Sequence, residues 1–216
     1  FFPLVVPTCS KLKIKCWGAG GGYNLANANQ YGGPGGYAYA EFNVGSSYGI
    51  LAGDILWLVI GQGGRRWCPT VNYGWGGKGS LEGDRWSAGG LTGVFLHEVN
   101  RTTALVIAGG GGGGRDAARG SPGGHTTWAG GQTGSNFALM TGMAFAYVSS
   151  RHKNAGGGGY TGGGYLTNDI SGADPASGPR GGRGGTNYAN TAHAAYVAAS
   201  QSLLFSAADA NGYATT

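Results

Sequence analysis

Six consecutive glycines, Gly109–Gly114, follow directly after the apolar segment Thr103–Ala108. A glycine loses more backbone entropy on folding than any other residue. Tracts of this kind therefore either stay disordered or serve the close packing of backbones. Because a short apolar stretch followed by a glycine tract recurs along the chain, the pattern indicates a scaffold rather than a catalytic centre. The other junctions are Lys11–Trp17 before Gly18–Gly22 and Asp54–Ile60 before Gly61–Gly64.

The remaining composition decides between disorder and packing. Glycine accounts for 49 of 216 residues, about three times its average share of roughly 7%. Apolar residues reach 41% and aromatic residues 12%, whereas only 11% are charged, the opposite of the balance in disordered chains. We therefore expect a single glycine-rich β domain over residues 11–216, preceded by an N-terminal extension over residues 1–10.

Eight segments have the periodicity of β-strands. Lysines alternate with apolar residues in Lys11–Trp17, as in a strand with one face in water, whereas Ile55–Ile60 and Ala104–Ala108 are continuously apolar, as in strands covered on both faces. Apart from a weak helical pattern in His193–Gln201, the chain predicts an all-β sandwich of jelly-roll type. The predicted strands are Lys11–Trp17, Tyr37–Val44, Ile55–Ile60, Leu91–Leu96, Thr103–Ala108, Met143–Val148, Ser202–Ser206 and Gly212–Thr216. The predicted core residues are Leu12, Ile14, Phe42, Ile55, Leu56, Leu58, Ile60, Phe95, Leu105 and Ile107.

The glycine-rich spacers are too many to be simple hairpin turns, as Gly109–Gly114 and Gly156–Gly164 illustrate. Glycine segments can adopt the extended helix with three residues per turn that polyproline forms. Without Cβ atoms, such helices can pack side by side and hydrogen-bond backbone to backbone, which satisfies peptide groups away from water. We therefore expect a layer of packed polyglycine-II helices, with flexible surface linkers as the alternative.

A family resemblance is carried by the order of motifs KLKIKCWGAGGG, GGYAYAEFNV, GDILWLVIGQGG, TALVIAGGGGGG and GGGGYTGGGY. This order resembles the glycine-rich extracellular domain family, which includes the membrane-proximal domain of anaplastic lymphoma kinase receptors and glycine-rich modules of phage and bacterial surface proteins. The resemblance covers most of Lys11–Thr216. It implies a jelly-roll-like (TNF-like) β-sandwich fused to a layer of packed polyglycine-II helices, and it carries no catalytic residues. The alanine-rich stretch Thr186–Ala210 departs from the family pattern.

Motifs for chemistry are missing from the sequence. The four histidines are isolated and have no zinc-site spacing, and Gly74–Gly79 lacks the Lys-Ser/Thr ending of a phosphate loop. Two arginines in Arg180–Gly185 are too few for an RNA-binding tail, and no stretch approaches the roughly 18 apolar residues of a membrane span. We therefore expect a protein that is not an enzyme, with no cofactor, metal site, nucleic-acid partner or membrane insertion.

Cysteines and one sequon are candidate sites of modification. Cys9, Cys16 and Cys68 form no C-x-x-C pair, so they allow one disulfide and a spare thiol, with Cys16 alternatively a buried free thiol in its strand. Asn100-Arg-Thr102 is an N-glycosylation sequon if the chain is secreted in a eukaryote. The start of the sequence lacks Met and a basic leader, which predicts a processed or partial chain.

Two functions fit this composition. Low charge and abundant apolar surface favour an extracellular structural protein, a self-assembling subunit of a surface filament or sheath. We expect its assembly residues to pack in a groove or sheet of a neighbouring copy, or else on the chain's own sandwich. These residues are Phe1, Phe2, Leu4, Val5 and Val6. The second hypothesis is a recognition module, such as an adhesin tip or a receptor ectodomain. Its candidate aromatic residues facing a glycan or protein are Trp67, Trp86 and Trp128.

Overall fold

Strands and irregular segments make up the part of the chain that the computed structural model describes, which is residues 1–22, 32–65, 72–78, 86–114, 123, 156–160, 162 and 184–203. No helix occurs in these segments, in agreement with the all-β prediction. The predicted strands Met143–Val148 and Gly212–Thr216 lie outside them, as does most of Ser202–Ser206. The strands are β1 (Phe2–Val5), β2 (Lys11–Trp17), β3 (Gly36–Asn43), β4 (Ile55–Val59), β5 (Thr92–Leu96), β6 (Ala104–Ala108), β7 (Tyr188–Ala189) and β8 (Tyr196–Leu203).

The strands form two antiparallel sheets. A five-stranded sheet has the order β1-β4-β5-β6-β7, and a three-stranded sheet has the order β2-β3-β8. Strands β5, β6 and β7 lie against the three-stranded sheet, whereas β1 and β4 extend beyond it. One edge of the larger sheet is therefore left without a covering layer from the smaller sheet.

Alternation of side chains places one face of the three-stranded sheet in the core. Ile14 and Cys16 of β2 are buried between exposed lysines, and Phe42 of β3 is fully buried. The register pairs Leu12 with Phe42 and Cys16 with Ala38. The alternating pattern of the sequence thus correctly identified both strands and their inner faces.

The five-stranded sheet is apolar on both faces. Leu56, Leu105 and Val106 join the core shared with the smaller sheet, while Phe95 and Ile107 belong to a second cluster on the opposite face. The continuous apolar run of β6 is buried throughout, as predicted.

Two predicted core residues are exposed instead. Ile55 lies opposite Val5 of the edge strand β1, and Ile60 lies just beyond the end of β4; their exposed fractions are 43% and 49%. Leu12 and Leu58 are only partly buried against the core. The prediction of a doubly covered strand was wrong for the ends of β4, because β4 borders the uncovered edge of the sheet.

Three elements differ from the sequence-based expectations. His193–Gln201, the only candidate helix, lies largely in strand β8, which pairs with β3 along its length. Strand β1 was not predicted, because Pro3 interrupts its short apolar run. Strand β7 has only two residues, so its sequence cannot show an alternating pattern. It is recognised as a strand only by its pairing with β6.

Candidate functional site

Strands and glycine tracts are continuous in this fold. Strand β2 runs into the tract 18–22, β4 into 61–64 and β6 into 109–114, while the tract 32–35 leads into β3. Wherever these tracts meet, backbone groups bond to backbone groups. The candidate functional region has two parts: this set of tracts and the exposed surface around β1, which is described below.

Hydrogen bonds of the tract 18–22 repeat every third residue. The first and fourth amides of the tract donate to carbonyls in the segment 33–36, and the second and fifth donate to carbonyls in 87–90. Amides three residues apart in this tract therefore donate to the same neighbouring segment. The four bonds, 2.8 to 3.0 Å long, are Gly18 N–H to Gly36 O, Gly21 N–H to Gly33 O, Ala19 N–H to Gly90 O and Gly22 N–H to Ser87 O.

The tract Gly109–Gly114 is buried along its whole length. Its backbone is hydrogen-bonded to residues of several other segments, namely Ala19, Gly22, Gly33, Gly36, Gly89, Gly158 and Gly185. Backbones approach here so closely that a Cβ atom built on Gly111 would lie 1.8 Å from the carbonyl oxygen of Gly33. No real Cβ atom tolerates that distance, so glycine is required at this position for steric reasons.

Asn187 joins the tracts to both sheets. Its side-chain oxygen accepts a hydrogen bond from Gly109 N–H (2.8 Å), and its side-chain nitrogen donates to Tyr37 O (2.7 Å). The residue is 6% exposed, and these two bonds satisfy backbone groups where β6 and β3 leave their sheets. Sequence reasoning missed Asn187, because one asparagine beside a short strand carries no pattern.

Backbone amides in Gly109–Gly114 and 156–159 are expected to exchange with solvent slowly. The amides of Gly110, Gly111 and Gly158 are buried donors to carbonyls of other tracts, so exchange requires the tracts to separate. Hydrogen-exchange mass spectrometry is the measurement, with the exposed turn 46–49 as the fast-exchanging control. Random-coil exchange rates in both tracts would contradict the packed arrangement.

An apolar surface surrounds the edge strand β1. Between 43% and 59% of the surface of each of its large side chains is exposed, and β1 itself contains no charged residue. Val6, by contrast, is only 1% exposed and packs in the core. We call this region the β1 surface; it wraps around the edge of the sheet, with Phe2 and Leu4 on one face and Phe1, Val5 and Ile55 on the other.

The predicted assembly segment is thus part of its own chain's sheet. Phe2–Val5 pairs with β4, which places Phe2 opposite Leu58 and Leu4 opposite Leu56. Four of the five predicted assembly residues, Phe1, Phe2, Leu4 and Val5, present exposed side chains, whereas Val6 does not. The backbone groups on one side of this segment are therefore already hydrogen-bonded to β4.

Prolines restrict the other side of β1. Val6 N–H donates to Asp54 O (2.8 Å), and inward and outward backbone groups alternate along an antiparallel strand. Pro3, Val5 and Pro7 therefore direct their backbone groups outward, and only Val5 among them carries an N–H. Such an edge offers little to a further strand, because only one of the three outward residues can donate a backbone hydrogen bond.

Both described cysteines are free thiols. Cys9 is half-buried and Cys16 is buried in β2, while Cys68 lies outside the described residues. Burial raises the pKa of the Cys16 thiol to about 12, which keeps it protonated and unreactive at neutral pH. Cys16 therefore has the properties of a small core residue.

We expect Cys9 to be alkylated well before Cys16 when the native protein is treated with iodoacetamide at pH 8. With a pKa of about 12, only about one Cys16 thiol in ten thousand is ionised at that pH, and burial blocks access to it as well. Peptide mass mapping measures both sites, and the same reaction in guanidinium is the control. Equal labelling rates for Cys16 in the native and unfolded protein would contradict its burial.

The sequon lies in the turn between β5 and β6. The side-chain oxygen of Asn100 accepts hydrogen bonds from Thr102 N–H (2.9 Å) and from the Thr102 hydroxyl (2.8 Å). Thr103 N–H donates to the same oxygen at 3.0 Å. The turn is held by this asparagine side chain, and the sequon stays a prediction.

The predicted ligand-facing tryptophans do not form a site in the described part of the chain. Trp86 is buried, with 7% of its surface exposed, so its ring does not face solvent. Trp67 and Trp128 lie outside the described residues. The most exposed tryptophan of the described segments is Trp17, on the outer face of the three-stranded sheet.

Comparison of the chain with protein-family models and with curated proteins finds no match. Within the described segments, no three His, Cys, Asp or Glu side chains converge in a way that would hold a metal ion. A search of the same segments finds no helix with the length and apolar character needed to cross a membrane.

Proposed function

We propose that this protein is a non-enzymatic extracellular structural protein, a self-assembling subunit of a surface filament or sheath. The observation that carries the proposal is the β1 surface, where five large apolar side chains are half exposed at the uncovered edge of a sheet. Adjacent apolar side chains on a soluble domain commonly mark an interface. The occupant is another copy of this chain.

The energetics of such a contact favour a symmetric interface. Burying the exposed half of each side chain yields about 1 kcal/mol, or about 5 kcal/mol for the five. Association costs about 4–15 kcal/mol in lost translational and rotational freedom. Burial of one β1 surface, against a partner that contributes no apolar side chains of its own, does not exceed that cost. In a two-fold contact both copies contribute the same residues, which doubles the gain to about 10 kcal/mol. A second contact on each subunit then extends the pair into a polymer.

The glycine tracts supply the rigidity that a filament subunit needs. We propose that they form a layer of polyglycine-II helices, which is supported by the three-residue repeat of hydrogen bonds in the tract 18–22. The two antiparallel sheets and the order of strand followed by glycine tract support a jelly-roll-like fold and kinship with the glycine-rich extracellular domain family. Secretion to an extracellular surface belongs to the same proposal.

Replacing both Leu4 and Val5 with lysine is expected to abolish polymers and leave the subunit folded, with pairs formed through the second contact as the largest remaining assembly. Both side chains are half exposed on β1, so the subunit loses little on its own, whereas an interface would have to bury four charges per two-fold contact. Sedimentation velocity and negative-stain microscopy measure the assembly, and circular dichroism checks the fold.

Val197→Lys is the matched control for this experiment. Val197 is also an exposed valine in a strand, with 40% of its surface accessible, but it lies on β8 of the other sheet. Polymers that survive the Leu4/Val5 double substitution would remove the β1 surface from the mechanism. A full-length protein that stays monomeric at high concentration would favour the recognition module instead.

A further inference from the structure

The outer face of the three-stranded sheet combines aromatic and basic side chains. Because side chains alternate along a strand, Lys13, Lys15 and Trp17 of β2 share this face with Tyr37 and Tyr39 of β3. The register places Trp17 directly opposite Tyr37 and Lys15 directly opposite Tyr39. Neither the fold nor the proposed assembly requires this combination, since the face lies on the other sheet from the β1 surface.

Trp17, which is exposed, and Tyr37, which is half-buried, form an aromatic platform at one end of the face. Their ring centroids are 5.4 Å apart at an interplanar angle of 50°, and half of the surface of Trp17 is exposed. A single exposed ring is common on soluble proteins. Two adjacent rings beside an amine, however, provide both an apolar surface and a hydrogen-bond donor.

Among the described residues of this face, Glu41 is the only carboxylate, and it is already engaged. Glu41 accepts a hydrogen bond from the Tyr39 hydroxyl and forms ion pairs with Lys11 (3.1 Å) and Lys13 (3.4 Å). The Tyr39 hydrogen bond, followed by that from Lys11, lowers the pKa of Glu41 to about 2, so this carboxylate is ionised at neutral pH. Three lysines therefore face one acid.

Lys15 is the lysine that remains available. It is exposed, and within the described segments it forms no ion pair. It lies opposite Tyr39, two residues from Trp17 on the same face, so its Cα is about 7 Å along the strand from that of Trp17. A ligand with an anionic group next to a flat, weakly polar ring would pair with Lys15 and also contact the aromatic platform.

We propose that this face binds an acidic polysaccharide, with a sugar ring stacked on Trp17 beside Tyr37 and its carboxylate or sulfate paired with Lys15. The three lysines against one carboxylate provide the charge complementarity, and the two rings provide an apolar contact for the C–H face of a sugar. A single-stranded nucleic acid is the competing ligand, because its phosphates can also pair with Lys15 and its bases can also stack on an aromatic ring; the titration below distinguishes the two.

Isothermal titration of the full chain with polygalacturonate tests the proposal, with uncharged dextran and oligothymidylate as the comparison ligands. Polygalacturonate is expected to bind more tightly than either, and binding should weaken as salt is raised. Equal affinity for dextran would overturn the role of charge. Tighter binding of oligothymidylate would overturn the choice of a polysaccharide.

Matched variants locate the site on this face. Trp17→Ala is expected to weaken polygalacturonate binding at least about fivefold through the loss of a stacking ring, and Trp17→Phe should recover part of the loss. Lys15→Gln should weaken binding about threefold, whereas Lys78→Gln, which removes the same charge from an exposed lysine elsewhere, should not. Equal effects of the two lysine substitutions would overturn the assignment of Lys15 to the binding site. Replacing Leu4 and Val5 with serine, which makes the β1 surface polar without adding charge, should leave binding intact, and this separates the proposal from self-assembly.

Discussion

Replacing Gly111 with alanine is expected to destabilise the protein by about 3 kcal/mol or more, or to prevent folding altogether. The new Cβ atom would lie 1.8 Å from the carbonyl oxygen of Gly33 and 2.4 Å from its carbonyl carbon. Overpacking in a well-packed interior typically costs 1–3 kcal/mol. Here the obstacle is backbone rather than a flexible side chain, so relief requires two tracts to move apart. Replacing Gly111 with valine should be at least as damaging.

Gly20→Ala provides the matched control. The nearest atom to a Cβ on Gly20 is the carbonyl oxygen of Gly33 at 3.7 Å, an ordinary van der Waals distance. Its neighbour Ala19 already carries a Cβ in the same tract. This variant should be neutral or slightly stabilising, by up to about 1 kcal/mol, because alanine reduces the entropy of the unfolded chain. Thermal and denaturant unfolding measure both variants, and equal stability of the two would contradict the steric account.

Phe42→Ala is expected to cost about 3–5 kcal/mol, the usual price of removing a buried phenylalanine. The side chain is fully buried in the core between the sheets, and it makes edge contacts with the rings of His193 and Tyr196. Removing it leaves a cavity where β3 pairs with both β2 and β8. Few neighbours can move in to fill that space, since β3 is the central strand.

Phe2→Ala is the control for this loss. Phe2 has 59% of its surface exposed on β1, so its truncation should change the free energy of unfolding by only about 0.5 kcal/mol. Urea denaturation of both variants, under conditions in which the protein does not self-associate, gives the comparison. A cost below about 1 kcal/mol for Phe42→Ala would place this residue outside the core.

Local patterns predicted the strands that have a regular alternation or a continuous apolar run. Lys11–Trp17 was predicted with its observed bounds, and Thr103–Ala108 within one residue, because burial on one face or both determines their sequences. The exposed ends of β4 at Ile55 and Ile60 were not predicted. Coverage by a second layer depends on where the smaller sheet ends, and no local pattern carries that information.

The rest of the candidate site depends on tertiary pairing. Strand β8 lies in an alanine-rich stretch that suits a helix equally well, and its pairing with β3 decides the outcome. The proposed platform also depends on register, because Trp17 and Tyr37 are twenty residues apart and meet only through the β2–β3 alignment. By contrast, a close packing of glycine tracts was accessible from the sequence, since no other residue permits such an approach.

The glycine tracts also determine when this chain can complete its fold. Their hydrogen bonds join Ala19 to Gly90 and to Gly111, and Gly110 to Gly185, so the bonded residues are about 70 to 90 positions apart in the sequence. Contacts with such long loops form slowly, because loop closure must precede any energetic gain. A growing chain cannot assemble the layer until the segment at residue 185 has been synthesised. Gly109–Gly114 must therefore remain without its full set of hydrogen-bond partners until that segment has been made, long after its own residues have been added to the chain.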